Sequence, residues 1–137
     1  MSLVGTGFSY SPERRFTQAE VLAKLLPEVR DVRRVGSAAL DLCMVAAGHL
    51  DAYYEDGVHV WDWAAGALIA AEAGATVALP SGDRPGLVVA SAPAIADALA
   101  ATQVAALSSE APCPSVSQNF TTESFFFSTQ SPRSASK

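Results

Sequence analysis

Residues 37–47 are a helix-forming stretch that is apolar on nearly every side, Asp41 excepted, and that stops at Gly48. A helix without a polar face is stable only when neighbouring elements cover it on more than one side. The chain therefore has to build layers with this helix between them. Gly36-Ser37 supplies its start, with Ser37 as N-cap, and Gly48 supplies the left-handed residue that ends it.

The elements around that helix alternate in type. Leu3-Val4 reads as a strand leading through Gly5-Thr6-Gly7-Phe8 into a loop that contains Pro12. Thr17 is placed to cap a helix running to about Leu26, with Ala19, Leu22, Leu25 and Leu26 on one stripe and Pro27 beyond its end. Residues 29–35 alternate apolar and charged side chains, as a half-buried strand does. Residues 51–54 read as a short aromatic strand closed by an Asp56-Gly57 turn. A third helix starts near Trp61-Asp62 and ends at Gly74. Gly66 inside it costs about 1 kcal/mol against Ala, which points to another backbone packed closely there. Residues 76–79 and 87–90 read as two further strands joined by a turn with Pro80, Gly82, Pro85 and Gly86. Pro93 then opens an Ala-rich helix to about Leu107. Strands interleaved with helices, without a short repeat, define a layered α/β class.

Composition changes at Ser108. Residues 108–137 are rich in Ser, Thr and Pro, carry one Phe125-Phe126-Phe127 cluster and show no sustained periodicity, so they read as a disordered tail after a folded unit at residues 1–107. Nine basic against fourteen acidic side chains give a net charge of −5. With Arg14-Arg15 and Arg33-Arg34 as the only basic pairs, a nucleic-acid partner held by phosphate contacts is not expected. Cys43 and Cys113 stand seventy positions apart and make neither a disulfide framework nor a zinc site. A reducing cytoplasm is the expected compartment. No basic-then-apolar leader opens the chain, and its apolar stretches fall short of the roughly 20 residues of a membrane span, so no membrane partner is expected.

Few residues carry recognisable chemistry. Gly5-Thr6-Gly7 lacks the third glycine of a dinucleotide loop, because position 10 is Tyr. His49 and His59 each stand alone, and Cys43 sits in the apolar helix as a small hydrophobe. Residues 36–74 hold the acids Asp41, Asp51, Glu55, Asp56, Asp62 and Glu72 in an Ala-rich background. Asp62, between two Trp residues at a helix start, reads either as an N-cap or as a rigid oxygen ligand for a hard cation such as Mg²⁺. Glu55 reads either as a surface acid or as a second carboxylate facing the same cleft. Gly36-Ser37-Ala38 presents helix N-terminal amides to a polar ligand, or is capped by Ser37 alone.

Taken together, Val35-Gly36-Ser37-Ala38-Ala39-Leu40-Asp41-Leu42-Cys43, Asp51-Ala52-Tyr53-Tyr54-Glu55, Trp61-Asp62, Ala64-Ala65-Gly66 and Glu72-Ala73-Gly74 resemble the C-terminal signature of the inositol monophosphatase family. Thr6-Gly7-Phe8 resembles the strand that precedes it. The match covers about residues 4–107. The resemblance implies a layered αβαβα fold, of which this would be the C-terminal half, and a homodimeric Mg²⁺-dependent phosphomonoesterase acting on a phosphorylated polyol or sugar. It implies that Asp62 is a metal ligand, that Glu55 binds substrate hydroxyls, and that Gly36, Ser37 and Ala38 line the substrate pocket.

The family's N-terminal elements, a Gly-Glu-Thr metal-binding element and an Asp-Pro-Leu-Asp-Gly-Thr motif, do not occur in these residues. They carry most metal ligands and the activator of the nucleophilic water. The expectation is thus a chain that is inactive by itself, that exposes faces its other half should cover, and that associates with itself or depends on that half. The alternative is a non-catalytic remnant acting, if at all, through association.

Overall fold

The computed structural model describes residues 1–80 and 85–101, the last two by their backbone alone. The reading of residues 102–107 as helix, the tail, Gly82 of the predicted turn and Cys113 lie outside the described residues. The elements run β1 (Leu3–Thr6), α1 (Pro12–Leu25), a 3-10 turn (Leu26–Glu28), β2 (Asp31–Arg33), α2 (Ala38–Ala46), β3 (Ala52–Val58), α3 (Val60–Glu72), β4 (Thr76–Ala78), β5 (Gly86–Ser91), a second 3-10 turn (Pro93–Ile95) and α4 (Ala96–Ala101).

The five strands form one mixed sheet in the order β2-β1-β3-β5-β4. β1 pairs in parallel with β2 and β3, while β5 runs antiparallel to both β3 and β4. Two-residue alternation sorts the side chains onto two faces. Tyr53, Val58, Val88 and Ala90 pack with Leu42 and Val45 of α2 and with Ala67 and Ala70 of α3. Val4, Ala52 and Tyr54 pack on the opposite face with Val21 and Leu25 of α1 and Leu99 of α4. The described residues thus make three layers, helix on sheet on helix.

Local chemistry accounts for the boundaries. Ser37 caps α2, its hydroxyl accepting from the Leu40 amide at 3.3 Å. The close approach read from Gly66 is present: a Cβ there would lie 2.9 Å from Leu42 Cβ and 3.0 Å from the Ala39 carbonyl oxygen. α1 differs from expectation. It starts at Pro12, not after Thr17, and Ser11 is its cap, accepting from the Arg14 amide at 3.5 Å. Proline suits the first helical position, where its missing N–H costs nothing. The strand expected at residues 29–35 shortens to Asp31–Arg33, an edge strand carrying an Arg33–Asp31 ion pair. Asp56-Gly57 does not end β3 as a turn. The pairing with β5 shifts between Glu55 and Val58, and Gly57 sits at φ +88°, so the pair forms a bulge inside a longer strand.

Candidate active site

The topology itself locates a crevice. From β1 the chain crosses through α1 to β2 on one side, then returns through α2 to β3 on the other side of β1. The connections diverge at the C-terminal ends of β1 and β3, and such a switch point is where open α/β sheets bind ligands. α2 enters and α3 leaves on the same sheet face, which brings both helix N-termini, with their unpaired amides, to that end.

The exit of β1 and the middle of β3 touch directly. The Glu55 carboxylate lies against the Cα of Gly7, where an added Cβ would overlap all three carboxyl atoms. Tyr53, two residues earlier on the same face, donates its hydroxyl to Glu55 Oε2 at 2.7 Å. Burial pushes the Glu55 carboxyl up from its ordinary value; the Tyr53 hydrogen bond and the positive Arg34 act in the other direction, and Asp62 and Asp56 add to the rise. Arg34 stands just before α2, its guanidinium carbon 6.0 Å from the centre of the Phe8 ring.

Asp62 belongs to the first turn of α3, three positions after the cap residue His59. It is therefore not the N-cap: its Oδ2 accepts the His59 backbone N–H at 3.0 Å, the reaching-back half of a capping box, which leaves Oδ1 for another partner. The His59 and Trp61 rings stack beside it, 4.4 Å apart and 8° from parallel. Gly36, Ser37 and Ala38 form the entry to α2, with Ser37 engaged as its cap.

Three other acids of residues 36–74 have different surroundings. Asp51 lies at the opposite end of β1, accepting the Leu3 amide at 2.6 Å. Asp56 faces Arg14 at 3.8 Å. Asp41, in the first turn of α2, is wholly buried, and among the described residues neither of its carboxyl oxygens has a hydrogen-bond partner. Desolvation, with Glu55 nearby, pushes it up to about 6.

Two contributors escaped the sequence reading. Gly7 is needed because Glu55 fills the space its side chain would take. Gln18 of α1, only 3% exposed, accepts the Ser9 amide at 2.9 Å and donates to the Asp56 carbonyl at 3.1 Å, tying the β1 exit loop to the β3 bulge. The stripe expected from the sequence, Ala19, Leu22, Leu25 and Leu26, leaves Gln18 out, whereas the side of α1 that is buried carries Gln18, Val21 and Leu25. Among the described residues no group of three or more His, Cys, Asp or Glu has the arrangement to hold a metal ion. Asp62 is one oxygen donor, and a single carboxylate does not make a Mg²⁺ site.

A mixed sheet between helix pairs, with two acids at the switch point next to two helix N-termini, defines a class of polar-ligand α/β domain. The chain belongs to the inositol monophosphatase family, which residues 1–112 match. An inositol-1-monophosphatase of Mycobacterium leprae (strain TN) is 70% identical over 105 residues, covering 74% of this chain and 36% of that protein. A protein named Nus factor SuhB from Pasteurella multocida (strain Pm70) is 48% identical over 77 residues, covering 56% of this chain and 29% of its own length. The solved structure of Mycobacterium tuberculosis SuhB superposes with a TM-score of 0.69 at 68% identity, over 75% of this chain and 41% of that one. The chain thus spans well under half the length of these relatives. No described helix is long and apolar enough to cross a membrane.

Proposed function

We propose that this chain carries the polyol-binding side of a phosphomonoesterase site and that hydrolysis of an inositol monophosphate or related sugar phosphate requires the rest of the family's fold. The observation that carries this reading is Glu55, fixed on Gly7 at the crevice between β1 and β3. A half-buried, hydrogen-bonded carboxylate with one oxygen left over accepts hydroxyl hydrogens of a polyol. The α2 entry at Gly36, Ser37 and Ala38 lines the crevice, and helix N-terminal amides suit an anionic group.

Asp62 would be one anchor for Mg²⁺, with the other donors supplied by the part of the fold that this chain does not span. When bound, the ion polarises phosphoryl oxygens and acidifies water. On this chain's side, Asp62 offers Oδ1 from a carboxylate whose orientation the His59 amide fixes, and Glu55 orients the polyol.

The experiment is Mg²⁺-dependent phosphate release from inositol 1-phosphate by this chain joined to the unmatched part of the M. leprae relative. Asp62→Asn should remove most turnover with the fold intact. Glu55→Gln should change discrimination among sugar phosphates more than it changes phosphate binding. Near-normal turnover of the first variant, or a uniform loss across substrates for the second, would contradict the roles given.

A second reading, a non-catalytic chain acting through association, is favoured by one surface. The outward side of α2 and α3 carries Leu40, Trp61, Leu68 and Ile69, with Trp61 75% and Leu68 62% exposed. Apolar stripes of that kind are unusual on a monomer. Sedimentation of the chain alone distinguishes the readings: a stable oligomer without phosphatase activity, unchanged when the missing part is supplied, favours association.

A further inference from the structure

Resting on the reading of Glu55 as the acceptor of substrate hydroxyls, we propose that Tyr53 and Gly7 are the positioning residues of that carboxylate: one anchors it by a buried hydroxyl, the other by an absent side chain. Tyr53 is fully buried, its ring enclosed in the cluster that holds Leu42, Leu50 and Val88. Such a ring has no alternative rotamer to visit in a close-packed core, so its hydroxyl is a fixed point. It meets Glu55 Oε2 at 2.7 Å. Gly7 provides the floor on which the rest of the carboxyl group rests. A glutamate side chain in water is free to sample many rotamers. Two contacts remove that freedom before substrate arrives, which is how a binding group gains affinity without a new contact to ligand.

The electrostatic surroundings suit the same role. Burial, with Glu55, Asp41 and Asp62 nearby, pushes the Tyr53 hydroxyl far upward, so it stays a proton donor at every working pH. Asp41 acts from α2, Asp62 from α3 and Asp56 from β3, all disfavouring further negative charge, while Arg34 before α2 is the opposing cation around Glu55. With Oε2 engaged by Tyr53, Oε1 is the atom presented to a hydroxyl of the polyol.

The test uses the chain labelled with ¹³C at its glutamate carboxyl carbons, the Glu55 resonance being assigned with Glu55→Gln. Two variants move that carboxylate in opposite ways. Tyr53→Phe keeps the ring and deletes the donor, so the Glu55 titration midpoint should rise. Gly7→Ala expels the carboxylate toward water, so the midpoint should fall toward the ordinary glutamate value. Both are read on samples with the near-ultraviolet circular dichroism of the parent chain. Adding myo-inositol should move the Glu55 resonance of the parent, and Tyr53→Phe should weaken that response several-fold, because the carboxylate must then be ordered when the polyol binds. A Glu55 resonance and midpoint unchanged in Tyr53→Phe would overturn the proposal, and so would Gly7→Ala shifting the midpoint in the same direction. Opposite shifts with no response of the parent to myo-inositol would uphold the positioning role and overturn the polyol reading on which it rests.

Discussion

Replacing Asp41 with Asn should change how the stability of this chain depends on pH, and the size of the change follows from the burial of one carboxyl group. Asp41 is completely enclosed on the inward side of α2, and neither of its oxygens is hydrogen-bonded among the described residues. Its ionisation is pushed from 3.8 to about 6. For an acid whose folded value is raised, the folded chain holds a proton that the unfolded chain has already released. Stability therefore falls as pH rises from about 4 to about 6, and the penalty is complete above that. A rise from 3.8 to about 6 at 1.36 kcal/mol per unit corresponds to about 3 kcal/mol. Asn has nearly the same shape and no ionisation. Whatever constant cost its amide carries, the difference in unfolding free energy between Asp41→Asn and the parent should move by about 2.5 kcal/mol in favour of the variant between pH 4 and pH 7, the rest of the penalty having built up below pH 4. Urea unfolding followed by the fluorescence of Trp61 and Trp63 measures it, and taking the difference cancels the titrating groups that are not coupled to Asp41, which leaves Glu55 as the neighbour to hold in view. A difference that is the same at both pH values would refute the reasoning, because it would mean that Asp41 has a solvated or partnered carboxylate.

Two other substitutions probe the frame around the site. Gly66→Ala should cost about 1 to 3 kcal/mol in denaturant unfolding, since the new methyl would press on Leu42 and the Ala39 carbonyl, where helices ordinarily gain from alanine. Gln18→Ala should cost about 2 kcal/mol or more and raise amide exchange at Ser9, because it leaves the Ser9 N–H and the Asp56 carbonyl without their shared partner.

How much of this was legible in the sequence depends on how local each cause is. α2 and α3 were readable because their apolar runs, Ser37, Gly66 and Gly74 all act within a few residues. The start of α1 was not, because its first turn is charged and its inward stripe begins only at Gln18, Val21 and Leu25, while Pro12 resembles a loop residue when read alone. Gly57 was mistaken for the end of a strand because a bulge and a turn ask for the same positive φ. Asp62 and Glu55 were singled out, but the link between them was not visible. Tyr53 meets Glu55 only once both are known to share a strand face, and Gly7 meets Glu55 only once β1 is known to lie beside β3. The isolation of Asp41 is likewise a property of packing, which a helix reading without partners cannot supply.

On the reading proposed above, this chain holds the polyol-binding side of a site completed by the remainder of the family's fold. Phosphate release from inositol 1-phosphate with Mg²⁺, measured for the chain alone, for the unmatched part of the M. leprae relative alone, and for the two mixed, tests it most directly. The account predicts turnover in the mixture only, lost again when the chain carries Asp62→Asn. Turnover by the chain alone, or a mixture indifferent to that substitution, would contradict it.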